Sequence, residues 1–454
     1  TGTLALNGFG TTVGNISATA GNGTARVEGS LDFGASGRTV TVDAGGTLEL
    51  AGSLTSGAII DKAGDGTLFL SGDNAGLTRL RIGTQGATPV VGGTVRVSTA
   101  TALGSDPVYF NYGTIEATES LAFDTGLSIG GKPIGNARLT GEAMTFNGPI
   151  GTFSASGAAG DVTLVVDNDT TFIGDFTSTN AMTIGGTGTL RIGGYAAGLT
   201  APVTLANGVT LALENAAAIG SSLLTVGSDA TLLGSGSVDG LAAGGGGTLS
   251  PGAGIGILNA GNTTLGAGGN LNFQITNAAG SAGYDWDLLE VAGSLTVAAP
   301  AGDPFAVNLW SLSGINPDVS GDAANFDNQT AVSWTFARAS GGLIDFSADK
   351  FRVNTAAING TDGFTNNLAG GSFAVGAVGN DLNVVFTPFV PGAKLDWYGD
   401  GVSPGGAGTW SSLGSNWSPD SGATIGTWDP TRTAVFGGAG GTVTVQGGGI
   451  SAAS

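Results

Sequence analysis

The side chains able to do chemistry in this chain are few and almost all of one kind. Its 454 residues contain no His and no Cys. That excludes a His general base, a Ser-His-Asp or Cys-His arrangement, a thiolate zinc site and a disulfide framework. Carboxylates remain, with 34 Asp and Glu against 14 Lys and Arg and a net charge of -20. Asp161, Asp167, Asp169 and Asp175 fall within one short stretch, and Asp285 and Asp287 flank Trp286. Paired carboxylates serve as acid and base in glycoside cleavage. No Lys or Arg lies between Arg138 and Arg191 to complete a lyase-type set. The favoured reading is therefore turn Asp and Asn bonding to backbone.

Metal and phosphate chemistry fare no better. Asp167-Asn168-Asp169 places oxygens two residues apart, yet lacks the Gly and terminal Glu of an EF-hand. It offers at most an opportunistic surface Ca²⁺, and no cofactor is expected. Gly185-Gly186-Thr187-Gly188 runs on into Thr189 and Leu190, not into the Asp of a calcium roll. The Gly run at 244–247 lacks a following Lys-Ser/Thr and reads as a turn. The strong negative charge argues against nucleic acid and anionic lipid as partners. No apolar run reaches membrane-spanning length. Trp397, Trp410, Trp417 and Trp428 could stack on sugars, but they suit the filling of a core better.

The elements that carry these residues follow a repeat. Gly-Thr followed by alternating apolar residues appears as Gly2-Thr3-Leu4-Ala5-Leu6, Gly46-Thr47-Leu48-Glu49-Leu50, Gly66-Thr67-Leu68-Phe69-Leu70, Gly93-Thr94-Val95-Arg96-Val97, Gly113-Thr114-Ile115-Glu116-Ala117 and Gly188-Thr189-Leu190-Arg191-Ile192, with looser copies at Thr210 and Gly247. Period two puts Leu48 and Leu50 on one side and Glu49 on the other, the pattern of a half-buried strand. Leu48 to Leu68 and Val95 to Ile115 are each one step of about twenty residues, while Leu68 to Val95 leaves room for an insertion. That spacing predicts a β-solenoid, in which a coil that cannot bury its own apolar side stacks on the next. Glycine is too frequent for helices, at 86 residues. The segment 212–219, the best helical candidate, reads as a turn.

The stretch from Gly92-Gly93-Thr94-Val95 through Ala102-Leu103-Gly104 to Pro107-Val108 resembles the autotransporter-associated β-strand repeat. Residues 65–73 resemble its opening half, and Leu249-Ser250-Pro251-Gly252 a strand found late in such passengers. The resemblance covers about two thirds of the chain. It implies a secreted, right-handed parallel β-helix on a bacterial surface, and it transfers no catalytic residue.

Three regions are expected: a β-helix rod over 1–264, a β-rich extension packed on or continuing the rod over 265–390, and a Trp-rich junction opening a further β segment over 391–454. In the second region, 305–312 and 331–336 read as longer antiparallel strands. A junction falls at 388–392. Thr1 is preceded by no initiator Met, and neither end carries a polar cap, so the sequence reads as a segment of a longer chain or a subunit stacking end to end. The expected fold class is all-β, a right-handed parallel β-helix with a C-terminal β-rich elaboration. The expected function is a non-enzymatic extracellular structural or adhesive surface protein whose partners are copies of itself and, secondarily, surface polysaccharide. The alternative is a β-helix polysaccharide-active enzyme or carbohydrate-binding module.

Overall fold

Leu48, Leu68, Val95 and Ile115 stand side by side on successive parallel strands, each opposite the next. This column is the repeat seen in space. The computed structural model describes residues 2–6, 10–21, 23–84, 90–130, 136–153, 161–214, 217–221, 223–227, 229–315, 318–357, 362–389, 394–419, 421–446 and 450. The fold is all-β, a β-solenoid of about 11 turns. Among the described residues the helical content is the short 3₁₀ turn Ala348–Lys350.

Each coil crosses three faces. Gly113–Ala117 lies on the first, Leu121–Phe123 on the second and Leu127–Gly130 on the third, after which Ala137–Gly141 returns to the first and pairs in parallel with Gly113–Ala117. The first face is part of a 20-stranded sheet, and the other two belong to 11-stranded sheets. The motif copies at Gly46, Gly66, Gly93 and Gly113 stack on the first face. Those at Gly188, Thr210 and Gly247 stack on the second, through Thr189–Ile192, Thr210–Leu213, Thr231–Gly234 and Thr248–Pro251. Sequence similarity thus joins strands that occupy different sides of the rod.

Inward residues form continuous columns. Leu164, Ile184, Leu205, Val226, Ala243, Leu265 and Val297 form one on the first face. Phe123, Phe146 and Phe172 form another on the second, with ring centroids 5.1 and 6.0 Å apart. One hydrophobic core runs from Leu31 to Val384. Close approach of coils requires glycine at corners. At Gly186 (φ 117°) a Cβ would lie 2.1 Å from Val166 O, and at Gly93 (φ 55°) 2.4 Å from Gly64 O.

Beyond residue 265 the coils widen but stay parallel for several strands. Phe305–Gly314 pairs in parallel with Asn270–Ile275 on one side and with Phe351–Asn354 on the other, contrary to the antiparallel pairing expected for 305–312. Only its end turns back, against Val319–Ser320. Its inward Phe305, Val307 and Leu309 continue the core, so the chain still returns coil upon coil although longer loops blur the period. Val332–Ala339 is two-natured: parallel to Leu288–Val291 and antiparallel to Asp381–Thr387, which in turn pairs antiparallel with Ser372–Val378. The reversal ends the parallel stack on the third face, the line of Ala218–Ile219, residues 257–260 and Leu288–Val291, whereas the first face ends with Leu343–Ile344 parallel to Leu295–Val297. Phe326, Trp334, Phe364, Phe373 and Phe386 pack over the reversal, with centroids of neighbouring rings 5.0–6.5 Å apart.

The rest of the chain forms small sheets around a second core of Leu395, Trp397, Trp417 and Trp428. Parallel pairing returns there: Lys394–Trp397 with Thr433–Val435, and Gly408–Trp410 with Val443–Val445. Residues 390–392 of the expected junction lie outside the described residues, as do 215 and 216 of the segment 212–219. The flanks of that segment are strands, Thr210–Leu213 and Ala218–Ile219.

Candidate functional site

The outer faces carry charge in pairs that bridge neighbouring coils. Parallel, in-register stacking puts Arg96 opposite Glu116, and Nε and Nη2 donate to its carboxylate at 3.0–3.1 Å. Arg81 forms a two-pronged contact with Asp61 at 2.5 and 2.8 Å, holding the guanidinium above its ordinary pKa. Arg26 binds Glu49, and Arg191 binds Glu214 at 3.2 Å. Arg338 reaches Glu290 at 3.3 Å and Asp381 at 3.6 Å. Arg79 binds Asp106 at 2.8 Å and sits 4.7 Å from the Tyr109 ring centre. Such half-exposed pairs contribute modestly to stability. Their geometry matters more: each is formed only in the native register.

The acidic cluster of the sequence resolves in the same way. Asp167 is paired with Arg138 at 2.7 Å, a partner brought from the previous coil, and also accepts from Thr187 N at 3.1 Å. Asn168 is buried, donating to Glu142 O and accepting from Thr170 Oγ1, so its amide serves the corner. Asp169 is exposed at a strand start, and Asp175 O accepts from Ile150 N. Among the described residues no three Asp or Glu gather as metal ligands.

Asp285 and Asp287 part company. Asp285 closes a tight loop, accepting from Ser281 N and Asn277 Nδ2. Asp287 is wholly buried and accepts from Gly256 N at 2.9 Å and Gln274 N at 2.8 Å. Burial drives its carboxyl well above the usual range, against those two bonds, with Asp318 adding a smaller push upward. Both its oxygens are committed to backbone. Trp286 between them is buried and donates to Thr335 O.

The tryptophans of the last region interlock. Trp417 lies 5.0 Å from Trp397, 5.1 Å from Trp410 and 4.6 Å from Trp428. Trp397 donates to Gly406 O at 3.0 Å, whereas the buried indole N–H groups of Trp410 and Trp417 have no acceptor. Beside this cluster a cleft of about 460 Å³ is lined by Asp396, Trp397, Tyr398, Val402, Pro404 and Ser421, among others.

Lys62 escaped the sequence reading. It lies in an inward position, fully buried, with its ammonium donating to three backbone carbonyls. Burial pulls its pKa down to about 8, opposed by Asp65. The alternation Ile60-Asp61-Lys62 was the available signal, since it puts Lys62 on the side of Ile60.

No family model matches the chain, and no curated protein matches it. The class of protein is defined by architecture: a β-solenoid most of whose described arginines pair with carboxylates of neighbouring coils. No helix of the described residues is long and apolar enough to cross a membrane.

Proposed function

We propose that this chain is a non-enzymatic structural or adhesive protein of a bacterial surface, of the kind built from autotransporter-associated β-strand repeats. The observation that carries the reading is the unbroken inward column from Leu164 to Val297, matched coil by coil with no gap in register. A column of this kind makes a stiff spacer, because bending it separates strands along a whole face. Outer carboxylates bound to arginines, and few basic residues in all, suit a chain exposed to proteases outside the cell. Copies pair through strand edges or stack end to end, or the rod forms part of a larger surface protein. Electron microscopy of the purified chain tests this: rods or filaments are expected, and compact particles at every concentration would defeat it.

A second reading, sugar binding, draws on the cleft lined by Trp397 and Tyr398 together with Asp396 and Ser421, the residue types that stack on and hydrogen-bond to sugars. Titration with surface polysaccharides, followed by tryptophan fluorescence, tests it. A saturable change abolished by Asp396→Ala supports the reading, and no change rejects it.

A further inference from the structure

Lys62 occupies a place the repeat reserves for an apolar side chain. Its neighbours in the column are Val40 on the coil before and Ile82 on the coil after, both fully buried. An ammonium there is costly unless its protons are all taken up. They are: Nζ donates to Ala63 O at 2.9 Å, Gly64 O at 2.7 Å and Gly92 O at 2.9 Å. The first two acceptors belong to the corner leading from its own strand to Thr67–Leu70. The third belongs to the next coil, where the chain comes back from the insertion that lengthens the step from Leu68 to Val95.

The neck of that excursion is closed by backbone contacts. Thr84 and Val90 exchange backbone hydrogen bonds of 2.9 and 3.2 Å. Gly83 and Gly92 touch so closely that a Cβ on Gly92 would lie 2.4 Å from Gly83 N. Lys62 holds both arms. Its carbonyl accepts from Gly83 N at 3.1 Å on the outgoing arm, and its ammonium donates to Gly92 O on the returning arm.

We propose that Lys62 is an internal latch: its ammonium ties the returning arm of the excursion to the coil below, and loss of its proton frees that arm. Among the charged groups around it, Asp65 at the corner favours the ammonium. Asp61 and Arg81 are engaged with each other on the outer side, Arg79 with Asp106, and Arg38 with Phe33 O. With the pKa pulled to about 8, the latch is closed at neutral pH and open at alkaline pH. Free lysine titrates near 10.4, so between the two values the unfolded chain holds the proton that the folded chain has released. This group therefore adds to global stability as pH rises through that window, so the loosening it causes is not global unfolding. Release is local: it loosens the neck formed by Gly83, Thr84, Val90 and Gly92 while the column stays intact.

Amide hydrogen exchange on the full chain tests the latch, with rates corrected for intrinsic pH dependence and referred to Thr189–Ile192. Protection at Gly83, Thr84, Val90 and Gly92 is expected to fall about tenfold between pH 7 and pH 9.5. Lys62→Met, which fills the column but cannot donate, is expected to show the low value at both pH values. Constant neck protection in the wild type, or wild-type protection in Lys62→Met at pH 7, overturns the proposal. Should Lys62→Met fail to fold, NMR of the four lysine Nζ groups in the wild type decides the matter. One lysine titrating near pH 8 together with neck opening supports the latch, and four titrating above pH 10 overturn it.

Discussion

Arg96 and Glu116 are twenty positions apart in the chain and face each other across one strand spacing, joined by hydrogen bonds of 3.0–3.1 Å. One turn of the solenoid separates them. Because the pair is about one-third exposed, Arg96→Ala is expected to cost only about 0.2–1 kcal/mol in chemical denaturation, and less in high salt. A double-mutant cycle with Glu116→Ala should return a coupling of that size. Strictly additive single effects would show that the pair does not interact in solution.

The phenylalanine column is a different matter. Phe146 is fully buried between Phe123 and Phe172. Phe146→Ala is expected to cost about 3–5 kcal/mol, and Phe146→Leu much less, because the alanine leaves a cavity that neighbouring coils cannot close. Equal losses for the two variants would mean that the column tolerates collapse.

Asp287 gives the rod a pH signature. Its folded pKa lies above its unfolded value, so its favourable contribution is complete below about pH 4 and is lost as pH rises through the folded pKa. Asp287→Asn removes the titration. The melting-temperature difference, wild type minus variant, is expected to be most favourable to the wild type in acid and to shrink as pH rises. A difference independent of pH would contradict the assignment.

The tryptophan cluster separates packing from hydrogen bonding. Trp397 has an acceptor in Gly406 O, and Trp417 has none. Trp417→Phe is therefore expected to cost less stability than Trp397→Phe, since phenylalanine keeps much of the ring and loses no bond at 417. The reverse order in thermal unfolding would contradict that structure of the cluster.

Much of this architecture could be read from the residues. The steps from Leu48 to Leu68 and from Val95 to Ile115 are direct strand pairings, and the excess spacing before Val95 is a real excursion. Two things were hidden. The Gly-Thr motif marks strand entry on any face, so it could not tell that Gly188 begins a second-face strand while Gly46 begins a first-face one. Rungs such as Ala137–Gly141 and Val162–Val166 lack the motif, so nothing in their spacing marks them as copies of it. Past residue 265, loops of uneven length erase the period, so Phe305–Gly314 read as antiparallel although its neighbours run parallel to it. Of the candidate site, the tryptophan packing was legible from composition. The Arg138–Asp167 pair was not, because its partners meet only through the stacking of coils.

The central claim is that successive coils lie in register on one another, and cysteine pairing tests it most directly in a chain with no native cysteine. Thr67 and Thr94 are paired neighbours on adjacent coils, and Thr47 and Thr94 are two coils apart. Under mild oxidation Thr67→Cys with Thr94→Cys should form an intramolecular disulfide, because parallel neighbours fall within the required Cα separation of about 4.4–6.8 Å. Thr47→Cys with Thr94→Cys, at about twice the 4.8 Å strand spacing, should not. Efficient closure of the second pair, or failure of the first, would contradict the stacked column.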